Sequence, residues 1–129
     1  MIRILVLDDD GEMLDLLYDL LVTVLSEELD KPYEILKGTS GLAGLKVLEG
    51  APPLPDLILA DINMPEMSGL ELLTRVRANP DWQHIPFIFV SGSEPDKTTA
   101  TRQGSTKFLL KPFRPAKVIE TISQLLSDN

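Results

Sequence analysis

Cysteine is absent from the 129-residue sequence. Its absence excludes a disulfide framework, a thiolate metal site and a cysteine nucleophile, and it is compatible with a reducing compartment. Long hydrophobic runs are also missing, because even the leucine-rich stretch from Met13 to Leu29 is interrupted by aspartate and glutamate. No window reaches the roughly 18 apolar residues of a membrane-spanning helix, so we expect no membrane insertion.

Positive charge is scarce: 12 lysines and arginines stand against 20 aspartates and glutamates, and the formal net charge is −8 at pH 7. Such a chain repels phosphate backbones, and no local cluster of basic residues offsets the repulsion, so direct binding to nucleic acid is not expected. The apolar residues at the start meet three consecutive aspartates after position 7 and are too short for a signal peptide. We expect a cytoplasmic protein.

Length and composition indicate one globular domain. The chain has 129 residues, of which 43% are hydrophobic, and this is enough to bury a core without disulfides. We therefore expect residues 1–129 to form a single domain, with no second domain for output.

The stretch around Asp61 is the most informative in the chain. An apolar run from Leu57 to Ala60 is short, aliphatic and without alternation, which predicts a strand buried on both faces. Pro65 and Gly69 then prevent its continuation. Asp61 is thus expected at the carboxyl end of a buried strand, the edge where ligands bind in open parallel sheets. Taken alone, an aspartate there is more often the start of a turn.

Four more apolar segments predict strands. Between the strands, leucine, isoleucine and valine recur at helical spacing and predict helices. The expected strands are Arg3 to Leu7, Tyr33 to Leu36, Leu57 to Ala60, Phe87 to Val90 and Lys107 to Leu110. This alternation predicts an α/β fold: a doubly wound, flavodoxin-like, five-stranded parallel sheet of order 2-1-3-4-5 with helices on both faces.

The segment from Ser93 to Gly104 is the weakest part of this pattern. Ser93 is a possible helix cap and Pro95 suits a first turn. The body contains three threonines and a single apolar side chain, Ala100, so it lacks the buried stripe that stabilises most helices in proteins. We expect a short, frayed or irregular segment with low protection from hydrogen exchange.

Two other features are not expected to be functional. Glycines at positions 38, 41 and 44 do not form the G-x-G-x-x-G pattern, and no acid follows on a later strand at the required distance, so a nucleotide-binding loop is not predicted. His84 is a lone histidine in a polar loop, which is usually solvated.

The predicted strand order brings several polar residues to one edge. Strands one and three are neighbours, so Asp8 and Asp9 should lie beside Asp61, and strands four and five bring Ser91 and Lys111 to the same edge. Two carboxylates 4 Å apart repel by roughly 4 kcal/mol at an effective dielectric constant of 20. A bound cation relieves this repulsion, and an all-oxygen ligand set favours Mg²⁺. Such a site suits phosphoryl transfer with Asp61 as the nucleophile.

Four stretches carry a family resemblance: Val6 to Asp10, Asp61 to Gly69, Ser91-Gly92 and Phe108 to Phe113. In order, spacing and position at strand ends, they resemble the motifs of response-regulator receiver domains, which act in two-component signalling. The resemblance covers essentially the whole chain. Two departures are a serine at position 91, where threonine is commoner, and a slightly short segment from Ser91 to Lys111.

The resemblance implies a role for each site residue. Asp61 would accept a phosphoryl group from a histidine kinase or a histidine phosphotransfer protein. Asp61, Asp9 and the Asn63 carbonyl would bind Mg²⁺, with Asp8 acting mainly through water. The remaining implied features are phosphate-oxygen contacts from Ser91 and Lys111, a switch formed by Ser91 and Phe108, and a cis peptide bond between Lys111 and Pro112.

The family further implies that the chain is a signalling phosphoacceptor and not an enzyme, and that its phosphorylated form acts on a downstream protein effector or output domain. Two alternatives stay open. The D-x-D-G pattern from Asp8 to Gly11 also fits haloacid-dehalogenase-type phosphatases, with Asp8 as nucleophile and Asp10 as acid, but Glu12 stands where that family needs threonine or valine. The other is a receiver-like module that binds partners without phosphorylation.

Overall fold

The computed structural model of the protein describes residues 1–92 and 94–127, with the backbone alone for residues 94–96. Its centre is one parallel sheet of order β2-β1-β3-β4-β5, which confirms the predicted topology. The strands are β1 (Ile2–Leu7), β2 (Tyr33–Gly38), β3 (Leu57–Ala60), β4 (Phe87–Ser91) and β5 (Lys107–Leu110).

A helix follows each strand, as the sequence predicted everywhere except between β4 and β5. The α-helices are α1 (Gly11–Thr23), α2 (Gly41–Glu49), α3 (Gly69–Ala78), α4 (Glu94–Arg102) and α5 (Pro115–Ser127). The end of α1 continues as a π-helical segment, Val24–Glu28, which the sequence did not reveal. Among the described residues, no helix is both long and apolar enough to cross a membrane.

The sheet has a separate hydrophobic core on each face. Side chains alternate along a strand, so Ile4 and Val6 of β1 join α1 and α5 on one face. Leu5 and Leu7 join α2 and α3 on the other. The four residues of β3 are all buried, from 0 to 1% exposed, because both faces of the central strand are covered. The predicted doubly wound arrangement is confirmed.

Polar caps fix the start of three helices close to the ends of the strands. Asp10 Oδ1 accepts from the Glu12 N–H at 3.0 Å and caps α1. Ser68 Oγ accepts from the Glu71 N–H at 3.1 Å and caps α3. Such caps contribute about 1 kcal/mol each to stability. They also fix where the loops between the strand ends and the helices finish.

Residues Glu94–Arg102 form a helix, so the segment before β5 is not irregular as the sequence suggested, and its low protection from hydrogen exchange stays a prediction. Its one expected apolar side chain, Ala100, is fully buried in the core beneath it. The Thr101 hydroxyl donates to the Lys97 carbonyl at 2.8 Å, so a threonine predicted to disfavour the helix is satisfied within it. The proposed cap Ser93 lies outside the described residues.

Candidate functional site

The ends of β1 and β3 hold two aspartates side by side. The register pairs Leu7 with Ala60, the last residues of the two strands. One residue further on, the Asp61 N–H donates to the Leu7 carbonyl at 3.0 Å and the Asp8 N–H donates to the Gly38 carbonyl at 3.1 Å. Backbone hydrogen bonds therefore fix the backbone positions from which both side chains extend, and the predicted proximity of Asp8 and Asp61 is confirmed.

Lys111 joins this pair from the end of β5. Its N–H donates to the Ser91 carbonyl at 2.7 Å, which extends the pairing of β4 and β5 by one residue. Its Nζ lies 3.2 Å from Asp8 Oδ2 and 3.1 Å from Asp61 Oδ2. The ammonium group thus contacts both carboxylates at once and partly neutralises them.

Asp9 completes a cluster of three carboxylates. One oxygen from each of Asp8, Asp9 and Asp61 lies within 4.8 Å of the others. Asp8 is fully buried, the Asp61 side chain is 13% exposed and Asp9 is exposed, so the cluster opens to solvent on the Asp9 side. Carboxylate oxygens are the ligands that hard divalent cations prefer, and this donor set fits Mg²⁺ or Mn²⁺.

Burial and charge shift the pKa values of two groups here. Burial raises the pKa of the Asp8 carboxyl above its usual 3.8, although the Asp10 N–H and the Lys111 ammonium oppose the shift. Burial alone would lower the pKa of Lys111, but the carboxylates of Asp61 and Asp8 outweigh it and raise the value above 10.5. Lys111 therefore stays charged, whereas the Asp8 charge is disfavoured unless further positive charge is present.

The loop after Asp61 is tightly folded. Asp61 Oδ1 accepts from the Ile62 N–H at 2.7 Å, and the Gly69 N–H donates back to the Ile62 carbonyl at 2.8 Å. Glu66 adopts a left-handed conformation, with φ of 67°. Asn63 is exposed within this loop, two residues beyond Asp61.

Gly69 has a role in the site that sequence reasoning missed. A Cβ atom there would lie 2.2 Å from the Asp61 carbonyl oxygen and 2.8 Å from a ring carbon of Phe89, well inside van der Waals contact. The sequence indicated only that Gly69, with Pro65, prevents the strand before Asp61 from continuing. The glycine also lets α3 start directly against the backbone of Asp61.

The two predicted switch residues lie on adjacent strands. Ser91 is the last residue of β4, is 1% exposed and pairs with Leu110 of β5. Phe108 is partly buried, and its ring centroid lies 6.4 Å from that of the fully buried Phe89. The peptide bond between Lys111 and Pro112 is cis, as the resemblance implied.

The structure therefore brings Asp8, Asp9, Asp61 and Lys111 into one cluster. Ser91 ends the neighbouring strand, while Asn63 occupies the adjoining loop. His84 lies just before β4, at the opposite edge of the sheet, and takes no part.

Comparison with known proteins agrees with this geometry. The family model for the response regulator receiver domain matches residues 4–123. The chain belongs to this family. The match leaves the haloacid-dehalogenase-type alternative, with Asp8 as nucleophile, without support. The match extends from within β1 to within α5, and so includes every residue of the carboxylate cluster.

Relatives of this receiver domain include both long and short proteins. It is 38% identical over 93 residues to a probable cyclic di-GMP phosphodiesterase of Vibrio cholerae, a match covering 70% of this chain and 21% of that protein. It is 29% identical over 129 residues to the chemotaxis protein CheY1 of Helicobacter pylori, covering 98% of each. The chain thus spans about a fifth of the first relative and nearly all of the second.

Among solved structures, the receiver domain is similar to the Mn²⁺-bound form of the response regulator Rcp1. The two share 25% sequence identity with a TM-score of 0.79, and the match covers 98% of this chain and 93% of Rcp1.

Proposed function

We propose that Asp61 accepts a phosphoryl group from the phosphohistidine of a histidine kinase or a histidine phosphotransfer protein. The observation that carries this proposal is the Lys111 ammonium, 3.1 Å from Asp61 Oδ2 and 3.2 Å from Asp8 Oδ2. A carboxylate oxygen of Asp61 attacks phosphorus, a P–O bond forms, and the P–N bond to the donor imidazole breaks. The products are an acyl phosphate on Asp61 and a free histidine that takes up a proton.

The carboxylate cluster supports a divalent cation as cofactor. We infer that Mg²⁺ is held by Asp9, Asp61 and the Asn63 carbonyl, with Asp8 acting mainly through water. Rcp1, which is similar over most of its length, has an Mn²⁺-bound form. When bound, a dication supplies charge neutralisation for the acidic side chains and for phosphoryl oxygens. The same charge would favour ionised Asp8, whose pKa is raised by burial.

Lys111 and Ser91 are the groups proposed to hold phosphoryl oxygens. The raised pKa of Lys111 keeps its ammonium charged, and its contact with Asp61 puts that charge beside the reacting oxygen. In the phosphorylated protein, Lys111 exchanges a carboxylate oxygen for a phosphoryl oxygen. The Ser91 hydroxyl donates to another oxygen from the end of β4. Both interactions strengthen as charge develops on the transferring group.

The proposed output is a conformational switch through Ser91 and Phe108. Movement of Ser91 toward the phosphoryl group changes the end of β4, which is paired with β5 two residues beyond Phe108. Phe108 is thereby biased inward, and a downstream protein effector or output domain recognises the altered surface. Shifting such an equilibrium from mostly one state to mostly the other requires about 5 kcal/mol of differential contact.

We also propose that residues 1–129 act as a single receiver domain, which the near full-length match to CheY1 supports. Its only chemistry would be self-catalysed phosphoryl transfer and dephosphorylation. The cytoplasmic location stays a prediction.

Intact-mass analysis after incubation with acetyl phosphate and Mg²⁺ tests the proposed acceptor. The wild-type protein should gain one phosphoryl group and Asp61→Asn should gain none. The matched control is Asp56→Asn, an exposed aspartate just before the same strand, which should be labelled like wild type. A label on Asp8 would support the phosphatase alternative, and an unlabelled wild-type protein would support a module that binds without phosphorylation.

A further inference from the structure

The first turn of α2 touches the loop that follows Asp61. The Gly41 N–H donates to the Met67 carbonyl at 2.9 Å. A Cβ atom on residue 41 would lie 2.3 Å from that same oxygen and 2.9 Å from the carbonyl carbon. These distances are far inside van der Waals contact and involve backbone atoms, which have no alternative rotamer. At this point the gap between α2 and the loop accommodates glycine alone.

The loop has little freedom to absorb a displacement of Met67. The Met67 side chain is 6% exposed and packs in the core, and its N–H donates to the Pro65 carbonyl at 2.7 Å. At the end of the loop, Gly69 packs against the Asp61 carbonyl, as described above. A shift of Met67 would therefore be passed to the short stretch that contains Asn63.

The other side of the contact, the start of α2, is held by a cap and by core packing. Ser40, which caps α2, is 3% exposed, and its hydroxyl accepts from the Ala43 N–H at 3.0 Å. The core side of α2 is packed through Leu45 and Leu48. An added Cβ at position 41 would displace the loop, because α2 is fixed by its cap and its core face.

We propose that Gly41 is a positioning residue for phosphoryl transfer. The close contact between Gly41 and the Met67 backbone holds the loop from residue 62 to 68 in position. In that position the Asn63 carbonyl and Asp61 act together on the cation and the phosphoryl group. This inference rests on the proposed function of Asp61. Gly41 itself touches neither the carboxylates nor the donor, so its effect is exerted through the Met67 backbone.

Gly44 provides a matched control on the same helix. A Cβ atom there would lie 2.6 Å from Leu7 Cδ1 and 3.0 Å from Leu72 Cδ2. These are ends of core side chains, and none belongs to the loop after Asp61. Gly44→Ala should therefore overpack the core and destabilise the protein while leaving the loop in place.

The test compares wild type, Gly41→Ala and Gly44→Ala at a temperature where all three are folded. Urea unfolding gives their stabilities, Mg²⁺ titration by calorimetry gives the cation affinity, and intact mass against time gives the rate of phosphorylation by acetyl phosphate. Gly41→Ala should weaken Mg²⁺ binding and slow phosphorylation by about tenfold or more, because small misplacements of reacting groups have effects of this size. Gly44→Ala should lose stability and keep both properties.

Wild-type rate and Mg²⁺ affinity in Gly41→Ala would overturn the inference. So would equal losses in Gly44→Ala, because destabilisation alone would then explain them. A wild-type protein that takes no phosphoryl group at Asp61 would instead reject the proposed function.

A second variant covers the case in which Gly41→Ala does not fold. Ser40→Ala removes the α2 cap without adding atoms, and it should loosen the Gly41 contact. A smaller loss of Mg²⁺ affinity and rate, in the same direction, is expected. Unchanged affinity and rate in folded Ser40→Ala would overturn the inference.

Discussion

Lys111 and Arg77 are both partly buried cations, but they lie at opposite ends of the strands. Lys111 contacts carboxylates, whereas Arg77 contacts backbone carbonyls. Lys111 follows the end of β5, and its Nζ contacts the carboxylates of Asp8 and Asp61 at 3.2 and 3.1 Å. Arg77 lies in the last turn of α3. Within the part of the chain that the structure describes, no carboxylate pairs with Arg77.

Among the described residues, the partners of the Arg77 guanidinium are all backbone carbonyls. Its Nε lies 2.9 Å from the Gly104 oxygen, and its Nη1 lies 3.0 Å from that of Gln83 and 2.7 Å from that of Ile85. Gln83 and Ile85 precede β4, and Gly104 lies between α4 and β5. Arg77 thus joins α3 to the segments that enter two strands.

The comparison separates Lys111, which is proposed to act in phosphoryl transfer, from Arg77, which links structural elements. The carboxylates raise the pKa of Lys111 against the effect of burial, whereas burial lowers the pKa of Arg77 with no opposing charge. A carboxylate contact is exchangeable for a phosphoryl contact, because both partners are anionic oxygens. Three carbonyls arranged around a planar guanidinium are satisfied only in one geometry. The two positions should therefore respond differently to substitution.

The largest difference is expected in the rate of phosphorylation. Lys111→Met removes the ammonium beside the reacting oxygen and should slow phosphorylation of Asp61 by about 10²–10³-fold. Arg77→Met should keep the wild-type rate. Initial rates with acetyl phosphate, measured by intact mass, check both. The matched control is Lys107→Met, an exposed lysine at the start of the same strand. A Lys111→Met rate within a few-fold of wild type would contradict the role proposed for Lys111.

Mg²⁺ should stabilise the protein through the carboxylates around Lys111 and not through Arg77. At a concentration of 100 times Kd, a ligand that binds only the folded state adds about 2.7 kcal/mol. Thermal unfolding with and without Mg²⁺ should show the gain in wild type and in Arg77→Met, but not in Asp9→Ala. A gain that persists in both Asp9→Ala and Asp61→Asn would mean that the ion binds elsewhere.

Arg77 should matter more for stability than for the reaction. Arg77→Met leaves three carbonyls without their donor and should lower the free energy of unfolding by about 1–2 kcal/mol. Arg77→Lys should recover only part of this, since a single ammonium does not reproduce the fork of the guanidinium. Urea unfolding measures both.

Arg75→Met is the control, because Arg75 is exposed on the same helix and pairs only loosely with Glu71, at 3.7 Å. Equal losses in the two methionine variants would contradict the architectural role.

The same comparison shows which features the sequence was able to predict. Asp61 and Lys111 were found because each comes directly after an apolar run, and parallel strands end at one edge. Periodicity and end position are local signals that the sequence carries. The surroundings of Arg77 leave no such signal, because they depend on three carbonyls from two separate segments. Backbone carbonyls belong to every residue, so the sequence does not mark the ones that Arg77 binds.

Two other misses have related causes. Among the described side chains of Glu94–Arg102, Ala100 is buried and the Thr101 hydroxyl bonds within the helix, so a count of apolar residues underestimated its helical character. Gly41 was considered only as part of a nucleotide loop. Its contact with Met67 joins residues 26 positions apart, and only the packed structure brings them together.

Acid should affect the two regions differently in Mg²⁺-free protein. In the folded protein the pKa of Asp8 is raised above 3.8, so folding favours the protonated carboxyl. The stability gained from this protonation is fully present below pH 3.8 and is lost as the pH rises through the raised pKa. Asp8→Asn should therefore gain stability relative to wild type as the pH rises toward neutral. The effect of Arg77→Met should be constant over this range, since arginine stays charged. Urea unfolding at several pH values with a chelator present measures both; an Asp8→Asn difference independent of pH would contradict the shift.

The smallest effect is expected in hydrogen exchange of α4, and it connects Arg77 to the proposed output. Of the α4 side chains that the structure describes, only Ala100 is buried, whereas α5 buries Val118, Thr121, Ile122 and Leu126. Amides of α4 should therefore exchange faster than those of α5 in the unphosphorylated protein.

Arg77→Met should accelerate exchange of the α4 amides further, because the Gly104 carbonyl just beyond the end of α4 loses its donor. Arg75→Met should not. Phosphorylation of Asp61 should slow exchange in α4 by ordering it. Protection of α4 equal to that of α5 before phosphorylation would contradict this expectation and would favour a helix that moves as a rigid unit.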